Sequence, residues 1–138
     1  ACVFYASKRQ ACIAMSSTEA EIIAASACAV ELVHARGLLI EMGLPQEAPT
    51  VLKVDNSGAV ALARDRRSCH RSRHVDRRYF KVRELMAEGA LEVVHVETAL
   101  NTADVLTKSL PSEAFELHRA TMLGSAAPAP TRAPIAPV

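Results

Sequence analysis

The chain has 138 residues, half of them hydrophobic and 22% charged, and carries a formal net charge of +1. That suffices for one domain with a buried core, and it excludes collagen-like, low-complexity and highly charged disordered chains. No uninterrupted apolar run approaches the ~18–20 residues of a membrane span, and Lys8-Arg9 follows the first apolar stretch where a secretory signal has its basic residues in front, so neither membrane nor export is expected.

In chain order, residues 2–6 (CVFYA) and 12–16 (CIAMS) are short apolar runs joined by SKRQ, the pattern of an antiparallel hairpin. Ser17 or Thr18 caps a long helix whose first turn is acidic at Glu19 and Glu21, and Gly43 and Pro45 end it near Met42. Residues 51–54 (VLKV) read as a strand ending at Asp55, after which Asn56-Ser57 caps a second helix to about Ala63. A third helix is expected near 73–88, with Val75, Tyr79, Val82 and Met86 as its apolar stripe and Gly89 as its stop. Residues 90–96 (ALEVVHV) form another strand. Asn101 or Thr102 opens a helix carrying Asp104, and Ser112 opens a last one that ends near Leu123. The proline-rich residues 124–138 suit a flexible tail. The skeleton is α/β, with the tail set apart from a domain over 1–123.

Charge and cysteine placement narrow the chemistry. Residues 64–83 hold nine Lys/Arg against Asp65 and Asp76, a local balance of +7 that leaves −6 elsewhere. Such a stretch suits a nucleic-acid backbone, whose neutralised phosphates release counterions, although a solvated helix face has the same look. Cys2, Cys12, Cys28 and Cys69 contain no C-x-x-C pair, and Cys12 and Cys28 fall in apolar patterns as small core residues. Cys69, His70 and His74 have no second ligand pair at a usual zinc spacing. His34, His95 and His118 read as surface or strand residues. Glycine-rich phosphate loops, G-x-S-x-G and H-E-x-x-H are all absent from the sequence.

Three carboxylates stand out. Steps of four and three along the first helix connect Glu21, Ala25, Cys28, Leu32, Ala35, Leu39 and Met42, so Glu21 lines up with an apolar stripe, while Glu19, about 200° around, faces solvent. A carboxylate at a core edge needs a cation, hydrogen-bond donors or a metal, or else serves as a helix cap. Asp55 ends an apolar strand, the edge where α/β sheets bind ligands, though turn aspartates are common there. Asp104 lies in a first helical turn, where the dipole favours an acid in any case. Together the three suit a hard cation such as magnesium.

The segments SKRQACIAMSSTEAEIIAAS (7–26), VDNSGAVALA (54–63), SRHVDRRYFKVREL (72–85) and TADVLTKSLP (102–111) resemble, in order and spacing, the ribonuclease H domain of copia-type retrotransposon Pol polyproteins. The resemblance covers nearly all of 1–123. It implies a ribonuclease H-like mixed sheet with flanking helices, and hydrolysis of the RNA strand of RNA–DNA hybrids downstream of a reverse transcriptase domain in a cytoplasmic or nuclear particle. On this resemblance Glu21, Asp55 and Asp104 are catalytic carboxylates holding two Mg2+ ions, with Mn2+ as a substitute. Arg71, Arg73, His74, Arg77, Arg78 and Lys81 grip the hybrid, which such a domain reads by shape and 2′-hydroxyls.

Two departures accompany the resemblance. The family's first carboxylate stands on a strand preceding the hairpin, and this sequence begins after it, at Ala1, so the chain reads as an internal piece with its first strand missing. Residues 97–103 (ETALNTA) also lack the histidine that many relatives carry before the last acid. A catalytically dead, nucleic-acid-binding relic of such an element is the alternative.

Overall fold

A computed structural model describes residues 2–11, 13–65 and 73–125, the side chains of 73–79 excepted. Four helices, α1 (Ser17–Glu41), α2 (Ser57–Arg64), α3 (Arg73–Ala87) and α4 (Ser112–Leu123), accompany two strands, β1 (Thr50–Val54) and β2 (Leu91–His95). The protein is mixed α/β, and its described residues form two compact units, one within Gln10–Glu97 and the other comprising 2–9 with 98–125.

In the first of these units β1 and β2 pair in parallel, with Leu52 opposite Val93 and Val54 opposite His95. Alternation sends Leu52, Val54, Leu91 and Val93 to one buried face and leaves Val51, Lys53 and Glu92 on the other, exposed. Against the buried face pack Ile22 and Ala29 of α1, Ala59, Val60 and Ala63 of α2, and Val82 and Leu85 of α3. The small side chains of Ala25, Ala29, Ala59 and Ala63 let these helices approach closely. Parallel sheets are usually covered on both faces; here the described residues cover one.

Helix ends follow local chemistry. Ser16 caps α1, its hydroxyl accepting from the Glu19 amide at 3.1 Å, and the Glu19 carboxylate accepts in return from the Met15 amide at 2.8 Å. The cap therefore sits one residue before the expected one, and Glu19 turns back onto the chain where a solvent-facing position was expected. Gly43, at φ +80°, ends the helix while the Leu44 amide reaches the Leu39 carbonyl. Within α1 the buried face is Ile22, Ser26 and Ala29, one residue out of phase with the expected stripe. Cys28 is consequently exposed, a correction to its core placement. Its thiol is nonetheless pushed up in pKa, first by partial desolvation and then by Glu31.

By length and composition α1 could span a bilayer, with mean hydropathy 1.5 over an 18-residue window, although Glu31 and Arg36 interrupt its apolar run. It packs instead on β1, α2 and α3. Arg36, on the same side, donates to the carbonyls of Gln46 (2.7 Å) and Ala48 (2.8 Å) and to the Thr50 hydroxyl (2.7 Å), tying the α1–β1 connection to the helix.

The expected hairpin is absent: residues 2–11 and 13–16 contain no strand, and Val3, Ile13 and Met15 are more than nine-tenths exposed. A two-stranded hairpin is marginal in water unless a third strand or a helix covers it. The remaining unit is built on α4, which packs against a 3-10 helix at Thr102–Leu106. That turn replaces the expected α-helix around Asp104. The Cys2 amide donates to the Met122 carbonyl and the Ser7 hydroxyl to the Leu106 carbonyl, so the first residues join this unit. His118 is buried on α4 beside Ala120 in sequence, where a surface position had been expected.

Candidate functional site

The start of α1 and the end of β1 meet. Thr18, in the first turn of α1, places its hydroxyl 3.5 Å from the Asn56 side-chain oxygen, and that oxygen caps α2 by accepting from the Ala59 amide at 2.9 Å. Gly58 permits the approach: a Cβ there would stand 3.1 Å from Asn56 Oδ1 and 3.3 Å from Thr18 Oγ1. Glu21 lies one turn after Thr18, and Asp55 immediately precedes Asn56, so their backbones share the carboxyl edge of β1. Both are half-buried and both have polar partners. Glu21 precedes Ile22, the first residue of the buried face, which puts it at the flank of that face, about 100° from its centre.

Asp104 belongs to the other unit. It is buried, its residue only 6% exposed, and both carboxylate oxygens are engaged. Oδ2 accepts from Lys108 Nζ at 2.8 Å and Oδ1 from Asn101 Nδ2 at 3.2 Å. The Thr107 and Lys108 amides donate to the Asp104 carbonyl, fixing the backbone beneath the carboxylate. Burial of an aspartate requires such partners. Lys108 and Asn101 are the residues sequence reading missed, although the four-residue Asp104–Lys108 spacing was visible. Among the described residues, neither unit by itself gathers three His, Cys, Asp or Glu side chains close enough for a metal ion.

Of the expected nucleic-acid contacts, Arg71 lies outside the described residues, as do the side chains of Arg73, His74, Arg77 and Arg78 on α3. Cys69 and His70, weighed for zinc, lie outside them as well. Lys81 is exposed and pairs with Glu84 at 2.9 Å, a bond that raises its pKa. Two other members of the basic stretch are committed to the fold. Arg83 donates to the Leu62 carbonyl through Nε (3.2 Å) and Nη2 (2.7 Å), and Arg64 Nη2 donates to the Val93 carbonyl at 2.8 Å. The stretch is therefore less available to a polyanion than its +7 balance suggests.

The sequence is 37% identical over 115 residues to the retrovirus-related Pol polyprotein from transposon TNT 1-94 of Nicotiana tabacum, covering 83% of this chain and 9% of that protein. It is 37% and 36% identical to the Pol polyproteins from transposons RE2 and RE1 of Arabidopsis thaliana, again over 83% of the chain and 8% of each relative. Its homologues are retrovirus-related Pol polyproteins of plant transposons. The chain spans less than a tenth of their length. No family model matches it, and no solved structure does.

Proposed function

We propose that this Pol-like segment belongs to a ribonuclease H-type domain that hydrolyses the RNA strand of RNA–DNA hybrids. The observation that carries the reading is the Thr18–Asn56 contact, which joins the Glu21 turn to the Asp55 corner at one sheet edge. The donor set fits a hard divalent cation, because Glu21, Asp55 and Asp104 offer only carboxylate oxygens and Asp104 already holds a cation, the Lys108 ammonium. Bound magnesium, or manganese, supplies an activated water and charge neutralisation at the scissile phosphate. By the resemblance, Glu21, Asp55 and Asp104 would be its ligands. Arg71, Arg73, His74, Arg77, Arg78 and Lys81 would face the hybrid backbone, Lys81 exchanging Glu84 for a phosphate at little cost because their pair lies at the surface, about half exposed. The parent polyprotein's reverse transcriptase, upstream, would supply the hybrid in a cytoplasmic or nuclear particle.

The test is magnesium-dependent cleavage of a labelled hybrid by the 138-residue chain and by a version extended upstream in its reading frame. The extended chain is expected to cut the RNA strand and spare duplex DNA. An extended chain that cuts no hybrid would favour the relic.

A further inference from the structure

We propose that Thr18 and Gly58 are positioning residues that set the distance between the Glu21 turn and the Asp55 corner. The inference rests on the cleavage reading given above and adds two residues to it. Thr18 stands one turn before Glu21, and Asn56 directly follows Asp55. The Thr18–Asn56 hydrogen bond therefore ties the two backbones together, whatever the carboxylates themselves hold. Apolar packing does not fix that distance alone. Ile22 and Ala25 of α1, Val54 of β1 and Ala59 and Ala63 of α2 help to line a void of about 10 Å3, so small side chains leave these elements room to shift.

Gly58 is the other half of the device. By propensity a helix prefers alanine to glycine. The three nearest neighbours of a Cβ on Gly58 would be Asn56 Oδ1 at 3.1 Å, Thr18 Oγ1 at 3.3 Å and Thr18 Cγ2 at 3.5 Å. All three belong to the contact. The hydrogen bond is already 3.5 Å long, so the small displacement that such a Cβ demands would break it. Glycine suits the contact where alanine would suit the helix.

Hybrid turnover by the upstream-extended chain, with amide hydrogen exchange as the structural readout, tests the pair. Thr18→Ala is expected to lower kcat roughly tenfold with KM unchanged, because misplaced groups cost rate rather than binding. Thr18→Ser keeps the hydroxyl and should recover to within about twofold of the wild type. The Ala59 amide should stay protected in every variant, since its 2.9 Å bond to Asn56 does not involve Thr18. Gly58→Ala should also lower kcat while its melting temperature holds or rises. In a Thr18→Ala background, where Oγ1 and Cγ2 are gone, it should cost nothing further. Three results would overturn the positioning role: normal turnover by Thr18→Ala, no recovery in Thr18→Ser, or a Gly58→Ala loss that persists in full in the Thr18→Ala background. So would a loss in Thr18→Ala that comes with an unprotected Ala59 amide, which would make Thr18 part of the cap. A wild-type extended chain that cuts no hybrid would instead refute the cleavage reading, and the positioning role with it.

Discussion

Asp55→Asn is expected to reduce hybrid cleavage by the upstream-extended chain about a thousandfold, equivalent to ~4 kcal/mol in the barrier, with the fold intact. The substitution preserves size and shape but removes the negative charge at the carboxyl edge of β1. Asn56, the next residue, keeps its own cap to the Ala59 amide, so α2 starts where it did. Circular dichroism and melting temperature provide the control. A variant that loses less than about tenfold would remove Asp55 from the reacting centre, since a metal-ligating carboxylate contributes more than that.

Leu85→Ala is expected to be the most damaging of the conservative core changes, at about 3 kcal/mol. Leu85 is 3% exposed and closes the core between α3 and the sheet, with Val82 on the same helix and Leu91 and Val93 beneath. Its backbone also ends α3, its carbonyl accepting from the Ala90 amide beyond Gly89, so the surroundings have little freedom to collapse into the space. In a unit of this size ~3 kcal/mol corresponds to roughly 12–24 °C in melting temperature. Thermal unfolding followed by circular dichroism measures it. A shift under about 4 °C would mean that α3 does not cover the sheet as described.

The helix boundaries were legible because they are written in local chemistry. Asn56 before α2, Gly43 after α1, Gly89 after α3 and Gly124 after α4 act within a few residues and depend on no distant partner. The two strands were legible for a similar reason: VLKV and LEVVH are short, β-branched and bounded by turns. The phase of α1 was not. That helix is apolar nearly all round, with Val30, Val33, Leu38 and Ile40 exposed, so its sequence permits several buried faces. The choice of Ile22, Ser26 and Ala29 was made by the partners on α2, α3 and β1. The same limit misplaced Cys28 on the inside.

The hairpin failed for a different reason. CVFYA and CIAMS have strand composition, but pairing needs a covering element, and Val3, Phe4, Tyr5, Ile13 and Met15 remain exposed. At the candidate site, Glu21 and Asp55 were readable because each breaks an apolar pattern at an element junction. The holding of Asp104 by Lys108 was not, because the segment expected to be an α-helix is a tight 3-10 turn with different side-chain directions. Nor could the sequence separate Arg64 and Arg83, spent on the carbonyls of Val93 and Leu62, from arginines free to meet phosphate.

The central claim is that Glu21, Asp55 and Asp104 are ligands of divalent cations. Paramagnetic broadening in the isotopically labelled, upstream-extended chain addresses it directly, since Mn2+ broadens only the amide signals near where it binds. Titration is expected to broaden the signals of Glu21, Asp55 and Asp104, and excess Mg2+ should restore all three. A signal of any of the three that stays sharp at saturating Mn2+ would contradict its assignment as a ligand.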